Sequence, residues 1–358
     1  MLSLADRLLA WPVGIFKEVG MVLWQASTAW VCPLCDGRGT STNISAAADQ
    51  ALEFEVVTAN GEIMLANEAK NSDLFWALKG GGPSTFGVLL SVIIKTHPEV
   101  PTAGIVLDIN ATHTTDADLF WKGVAAMHDL ASHWVDYGMF VNFELWKERF
   151  HVQPIVGPNM TAAEIQRVAK PMFDRLQRDG VPYSTYTKEY PTFYDLYIDL
   201  FEGEGAWAPV LTGGRLFTKR DITRNASAIV DAYRVAVDAG AFMAGHVVGP
   251  GYGAPVVDNA IHPAWRDAAA FTVTSVYAPG NAPLAEKAEA QNTITNVIGK
   301  ALRDASPFGA AYVNEVSRLI PMRVSVLIIP LGRCPRARLA EHVLGEELPA
   351  IVSPEARF

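Results

Sequence analysis

The sequence predicts an α+β fold: strands paired as antiparallel hairpins, with helices set on one face of the sheet. Three observations carry that expectation. Asn60-Gly61 stands between two β-rich runs, EFEVVTA and EIMLA, and marks a tight hairpin because both residues tolerate φ > 0. GMFVNFELW and FHVQPIVG read as a second hairpin with alternating faces. Between the strands, apolar residues recur at helical spacing, as at Leu119, Phe120, Val124, Met127 and Leu130.

The chain can then be taken in order. LLAWPVGIF near the start has the apolar character of a signal-peptide centre, but Lys17 and Glu18 interrupt it and no small-residue cleavage site follows. An amphipathic or partly buried helix is the expectation. Four N-x-S/T sequons, at Asn43, Asn110, Asn159 and Asn225, are compatible with the secretory route without establishing it. Cys32-Pro-Leu-Cys35 has the look of half a zinc site, yet Cys334 is the only other cysteine. Two unligated thiols in a turn are expected, with no metal.

After the first hairpin, Asn71 or Ser72 should cap a short helix with Asp73 in its first turn. Leu74, Phe75, Ala77 and Leu78 form its apolar face, and Gly80 suits the left-handed residue that ends it. Gly81, Gly82 and Pro83 follow, and the chain leaves as a strand from Phe86 to Thr96. Helix, triple glycine, strand inverts the order of a phosphate loop of the Rossmann or Walker type. Glycines lacking Cβ can still let another surface approach, or offer N–H groups to an anion as a nest. The bare alternative is a glycine-rich helix stop.

Pro101 marks a plausible boundary. Beyond it come a strand at 103–110, a helix over Asp116 to Trp134, and the second hairpin. A capping box, Thr161 to Glu164, opens a helix running to about Arg178. APVLTGGRLF, AFMAGHVVG and FTVTSVYA read as strands, with helices from Asp221 to Ala239 and from Pro283 to Arg303. Alternation in FVNFELW puts Asn142 and Glu144 on one face between Phe140 and Trp146, either lining a pocket or forming an ordinary solvent face. His246 lies among apolar residues and reads as a core histidine.

Half of the 358 residues are hydrophobic and 19% charged, the balance of a globular chain of roughly two domains. A net charge of −9 leaves no basic stripe for nucleic acid. No apolar run reaches the ~18 residues of a membrane span.

DLFWALKGGGPSTFGV closely resembles the D-L-F/W-W-A-L-R-G-G-G-x-x-x-F-G-V segment of FAD-linked oxidases with a PCMH-type (vanillyl-alcohol-oxidase-like) flavin domain. LEFEVVTANG resembles the hairpin that precedes it there. The berberine-bridge-enzyme-like and isoamyl-alcohol-oxidase-like proteins of fungi are the nearest in kind. The resemblance implies a partial flavin domain over 41–100 and an antiparallel-sheet substrate domain over 101–316. Residues 1–40 stay unassigned and 317–358 form an atypical tail.

It also implies FAD, with Gly80, Gly81, Gly82, Phe86, Gly87 and Val88 against the cofactor. The family's earlier glycine loop and the histidine that bonds the flavin have no counterpart before His97, so binding would be non-covalent. Ala311-Tyr-Val-Asn-Glu315 resembles a Y-x-N-Y or Y-x-N-E segment that crosses the flavin. Glu315 is thereby the base candidate, with Tyr312 and Asn314 lining the substrate site. The function implied is oxidation of a small alcohol or secondary-metabolite intermediate by hydride transfer to flavin, with O₂ as a candidate acceptor. The alternative is a truncated, non-catalytic relative with weak or no flavin binding.

Overall fold

A computed structural model describes residues 47–81, 86–95, 99–114, 116–201 and 209–312, and within them the chain builds two antiparallel sheets. The small sheet has the order β2-β1-β3, from β1 (Ala51–Val57), β2 (Ile63–Asn67) and β3 (Val88–Ile94). Its first hairpin is present, but its turn differs from the two-residue expectation. Gly61 N–H donates to the Thr58 carbonyl and Thr58 N–H to the Glu62 carbonyl, both at 2.9 Å. Only Gly61, at φ 83°, is left-handed. A three-residue loop closed by a glycine bulge therefore replaces the tight turn, so Asn60 need not adopt φ > 0.

Helix α1 (Ser72–Leu78) packs Leu74, Phe75 and Leu78 onto Phe54 and Val56 of the small sheet. Asn71 is the N-cap by position but does not cap with its side chain. Its backbone is left-handed and its amide donates instead to the Leu65 carbonyl at 2.8 Å.

The large sheet has seven strands in the order β7-β4-β6-β5-β9-β10-β8. They are β4 (Thr102–Asn110), β5 (Phe140–Trp146), β6 (Arg149–Pro158), β7 (Ser184–Tyr190), β8 (Val210–Thr218), β9 (Phe242–Val247) and β10 (Ala268–Tyr277). One face is covered by α2 (Ala117–His128), α3 (Ala131–Asp136), α4 (Ala162–Arg178) and α6 (Lys219–Asp238), with α7 (Leu284–Asn292) and α8 (Gly299–Ala305) beyond them. The remaining helix, α5 (Phe193–Leu200), lies on the opposite face. Trp134, Tyr233, Phe143, Phe150 and Phe217 fill the main core, each fully buried. Burial of such a side chain stabilises by about 2–3 kcal/mol. Gly245 is glycine because a Cβ there would lie 2.1 Å from the Phe143 ring.

The capping box forms as read, with Thr161 and Glu164 exchanging bonds at the start of α4. Three expectations need correction. The helix over Asp116 to Trp134 is two helices, because Trp134 turns its indole back to donate to the Met127 carbonyl at 3.1 Å and ends the first. The helix predicted from Pro283 runs on to Ala305 through a π-helical turn at Thr293–Ile298. Strand β7 and helix α5 were not anticipated. STYTKEY has no apolar alternation because β7 is an edge strand with mostly exposed side chains.

Two histidines, His128 fully buried and His246 half-buried, tie this core to pH. His128 ends α2 with Nε2 3.0 Å from the Tyr233 hydroxyl. His246, on β9, stacks on Phe140 at 5.6 Å between ring centroids. Burial pushes both down to about 4. The unfolded chain takes up these protons near pH 6.5 while the folded chain refuses them. Stability is therefore full above about 6.5 and falls as the pH drops toward 4, by up to ~3 kcal/mol per histidine. Denaturation midpoints should decline across pH 6.5 to 4.5, and a midpoint constant over that window contradicts the assignment.

Candidate functional site

The glycine segment begins where α1 ends. Gly80 N–H donates to the Leu78 carbonyl at 3.0 Å, and Gly81 N–H to the Ala77 carbonyl at 2.9 Å. An anion nest from these two amides is therefore not formed, because the open carbonyls of the helix end take both donors. What the glycines allow is close approach. Gly80 sits at φ 109°, and a Cβ on it would lie 2.7 Å from the Ile261 nitrogen and 2.8 Å from its Cα. Gly87 passes as tightly, with a Cβ 2.5 Å from the Val57 carbonyl oxygen. Phe86 packs partly buried on the small-sheet core, and Val88, 66% exposed, opens β3. Gly82 lies outside the described residues.

This contact belongs to a polar junction. Asp49, in the 3-10 turn Ala47–Gln50 that leads into β1, has a side chain only 1% exposed. It accepts from Arg266 Nη1 at 2.5 Å and Nη2 at 2.9 Å, and from Asn259 Nδ2 at 2.5 Å. Trp76 of α1 donates its indole N–H to Asp258 at 2.8 Å. Lys79, 5% exposed, holds its ammonium 4.7 Å from the Phe75 ring centroid. Among the described residues no carboxylate comes within 4 Å of it. Burial lowers its pKa, against the pull of the Asp49 and Glu68 charges. The Phe75 ring face and these two carboxylate charges are what the ammonium meets within the protein.

The segment carrying Ile261 and Trp265 lies on the large-sheet face opposite the main helix layer, clustered with Phe140, Val156, Leu216 and Phe271. It covers one end of that face. Tyr312 joins it there, edge-on to Phe271 at 5.8 Å and to Trp265 at 6.4 Å between centroids. Among the described residues only α5 packs on the rest of that face. A row of directly paired residues crosses it from Ser184 through Asp108, His151 and Glu144 to Ala244, Val273 and Gly214. The row is polar on β7, β4, β6 and β5, then small or apolar on β9, β10 and β8.

Asp108 organises the polar half. It accepts from Arg149 Nε at 2.6 Å and lies 2.8 Å from His151 Nδ1. His151 Nε2 is 2.8 Å from Gln153 Oε1, and Gln153 donates its amide to the Leu200 carbonyl at 2.8 Å. That last bond fixes which end of the amide faces the imidazole. Burial alone would raise the Asp108 carboxyl, but hydrogen bonds from Arg149 and His151 outweigh it and hold the group below its ordinary range. These residues, with Asn110, Ser184, Thr185 and Tyr186, line a cavity of about 640 Å³. Asn142 donates to the Gln153 carbonyl at 3.0 Å, and Glu144 pairs across the strands with His151. Asn314 and Glu315 lie outside the described residues, as do Cys32, Cys35, Cys334 and the apolar run near the start.

No protein-family model matches the chain. FAD-linked oxidoreductase ZEB1 of Gibberella zeae is 31% identical over 276 residues, covering 77% of this chain and 48% of that protein. FAD-linked oxidoreductase sor8 of Hypocrea jecorina is 30% identical over 310 residues, with 84% and 51% covered. The crystal structure of the VAO-type flavoprotein MtVAO615 from Myceliophthora thermophila C1 superposes with a TM-score of 0.73 at 24% identity, over 84% of this chain and 55% of that one. Over most of its length the chain is thus similar to FAD-linked oxidoreductases, and it shares the fold of VAO-type flavoproteins. It spans about half the length of the curated relatives it matches.

The structure brings Asn142 and Glu144 together on the open face, and it seats Tyr312 within an apolar cluster. The residues that sequence reading passed over are Asp108, Arg149, His151 and Gln153 on the open face, with Asp49 and Arg266 at the junction. A signal existed for the first group. Arg149, His151 and Gln153 alternate with buried Phe150 and Val152, and Asp108 is the single acid in AGIVLDIN. The glycine segment yields a direct test. Gly80→Ala should destabilise by well over about 1 kcal/mol, through both φ and the Ile261 contact. Gly61→Ala, with open space around it, should cost only about 1 kcal/mol. Equal losses of melting temperature in the two variants would contradict the close approach.

Proposed function

We propose that this chain is the substrate-side part of an FAD-linked oxidoreductase. It would oxidise a small alcohol or secondary-metabolite intermediate, with FAD held non-covalently and O₂ as the acceptor. One observation carries this reading: the glycine segment is seated on the back of the Ile261 segment, beside a sheet face that stays open and half polar. FAD, when bound, would supply the hydride acceptor; the protein's part is position and proton transfer.

Gly80, Gly81, Gly82, Phe86, Gly87 and Val88 would form a low backbone wall beside the cofactor. Asn142 and Glu144 would line the substrate side, backed by the fixed Asp108–His151–Gln153 chain. Held ionised by Arg149 and His151, Asp108 is a poor proton acceptor and suits orientation instead. Glu315 remains the base candidate, with Asn314 and Tyr312 beside it. A substrate hydroxyl would give its proton to that carboxylate as the carbon–hydrogen bond breaks.

A second reading has its own support. With Gly80 and Gly81 amides engaged at the helix end, fewer donors remain for a diphosphate. A non-catalytic relative with weak flavin binding would look the same at that point. Purified protein mixed with FAD and desalted discriminates between the two. Retained yellow flavin bands are expected, and Glu315→Gln should then lower turnover by about 10²- to 10⁴-fold without altering them. A preparation left colourless supports the non-catalytic reading.

A further inference from the structure

We propose that Asn225 is an N-glycosylation site, whose amide nitrogen takes an oligosaccharide from a lipid diphosphate donor as the chain passes through the endoplasmic reticulum. The site stands apart from the flavin reading. It lies on α6, in the helix layer that seals the other face of the large sheet.

Asn225-Ala226-Ser227 is one of the four N-x-S/T sequons, and with Asn110 and Asn159 it falls within the described residues. The three differ in their surroundings. Asn110 is half-buried and lines the cavity beside Asp108 and Arg149. Asn159 is exposed, but the hydroxyl of its sequon, on Thr161, is engaged by Glu164 in the capping box. Asn225 is exposed, and the Ser227 hydroxyl donates to its Oδ1 at 2.8 Å. There the sequon closes on itself.

The backbone shows why the side chain is available. Ile222 before it, and Ile229 and Tyr233 after it, are buried, but at Asn225 the 20-residue helix is interrupted, with φ −169° and ψ 80°. The side chain bridges the break. Its Oδ1 also accepts the Ala228 N–H at 3.1 Å, as an N-cap does where a helix resumes. An Asn amide offers one acceptor oxygen and two N–H donors, and only the oxygen is used here among the described residues. A glycosylated amide keeps that oxygen and one N–H. Attachment at Nδ2 therefore leaves the cap and the Ser227 bond in place, while the bulky sugar extends into solvent. In the transfer, Nδ2 attacks the anomeric carbon of the donor sugar and forms an N–C bond. The C–O bond to the diphosphate breaks, the lipid diphosphate leaves with the electron pair, and the proton released from Nδ2 passes to a base of the transferase.

The test expresses the full chain in a filamentous fungus behind a cleavable secretion leader. Peptides from the protein recovered in medium and cells are mapped by mass spectrometry, before and after a glycosidase that releases N-glycans and converts the linked Asn to Asp. In the parent, the peptide carrying Asn225 should show a glycan mass before digestion and aspartate at that position after it. Ser227→Ala breaks the acceptor pattern but keeps the bond from Ala228 to Asn225, and the glycan at Asn225 should be lost. Ser227→Thr should retain it. An Asn225 peptide found only unmodified in the parent overturns the proposal, and so does a modification that survives Ser227→Ala. Mapping the parent needs no variant, so it decides even if a substituted chain fails to fold.

Discussion

The buried pairing of Asp49 with Arg266 is the constraint on which the rest of the arrangement depends. The two residues lie 217 positions apart and bring the turn before β1 against the segment that leads into β10. A buried ion pair of this kind adds little net stability over an apolar replacement, yet losing one partner strands a charge and costs about 3–5 kcal/mol. Its value is geometric. With Asn259 on the same carboxylate and Trp76 on Asp258, it sets where α1 ends relative to Ile261. The lack of a Cβ at Gly80 lets that distance close.

From that fixed junction the large sheet acquires two unlike faces. Helices seal one with aromatic and aliphatic side chains down to full burial. Among the described residues the other is covered by the Ile261–Trp265 segment and α5. Across its middle a polar half, built on Asp108, His151 and Gln153, meets a half of small and apolar residues. Asp108, Arg149, His151 and Gln153 are bonded in one chain, so that part of the floor is held rigid. The neutral His246, stacked on Phe140, continues the same surface without adding charge.

How much of this was legible in the sequence follows from the range of each interaction. Local signals were reliable: the Thr161–Glu164 capping box, both hairpins, and the left-handed glycine after α1 came from neighbours in the chain. The Asp116 helix failed where a side chain, Trp134, reached back to end it. Edge strand β7 was invisible because exposed strands carry no apolar alternation. Asp108 with His151 and Asp49 with Arg266 are pairings across the fold, and no local pattern announces a partner 43 or 217 residues away. The glycines were recognised as a place of close approach, but which surface approached could only be read from the folded chain.

The central claim is that the glycine segment and the open sheet face form two walls of one flavin site. Amide hydrogen exchange of the full chain with and without FAD tests it most directly. The account predicts protection on FAD addition in two separate stretches, one from α1 into β3 and one across β5, β6 and β9. Protection confined to the helices on the sealed face, or no change in either stretch, would contradict it.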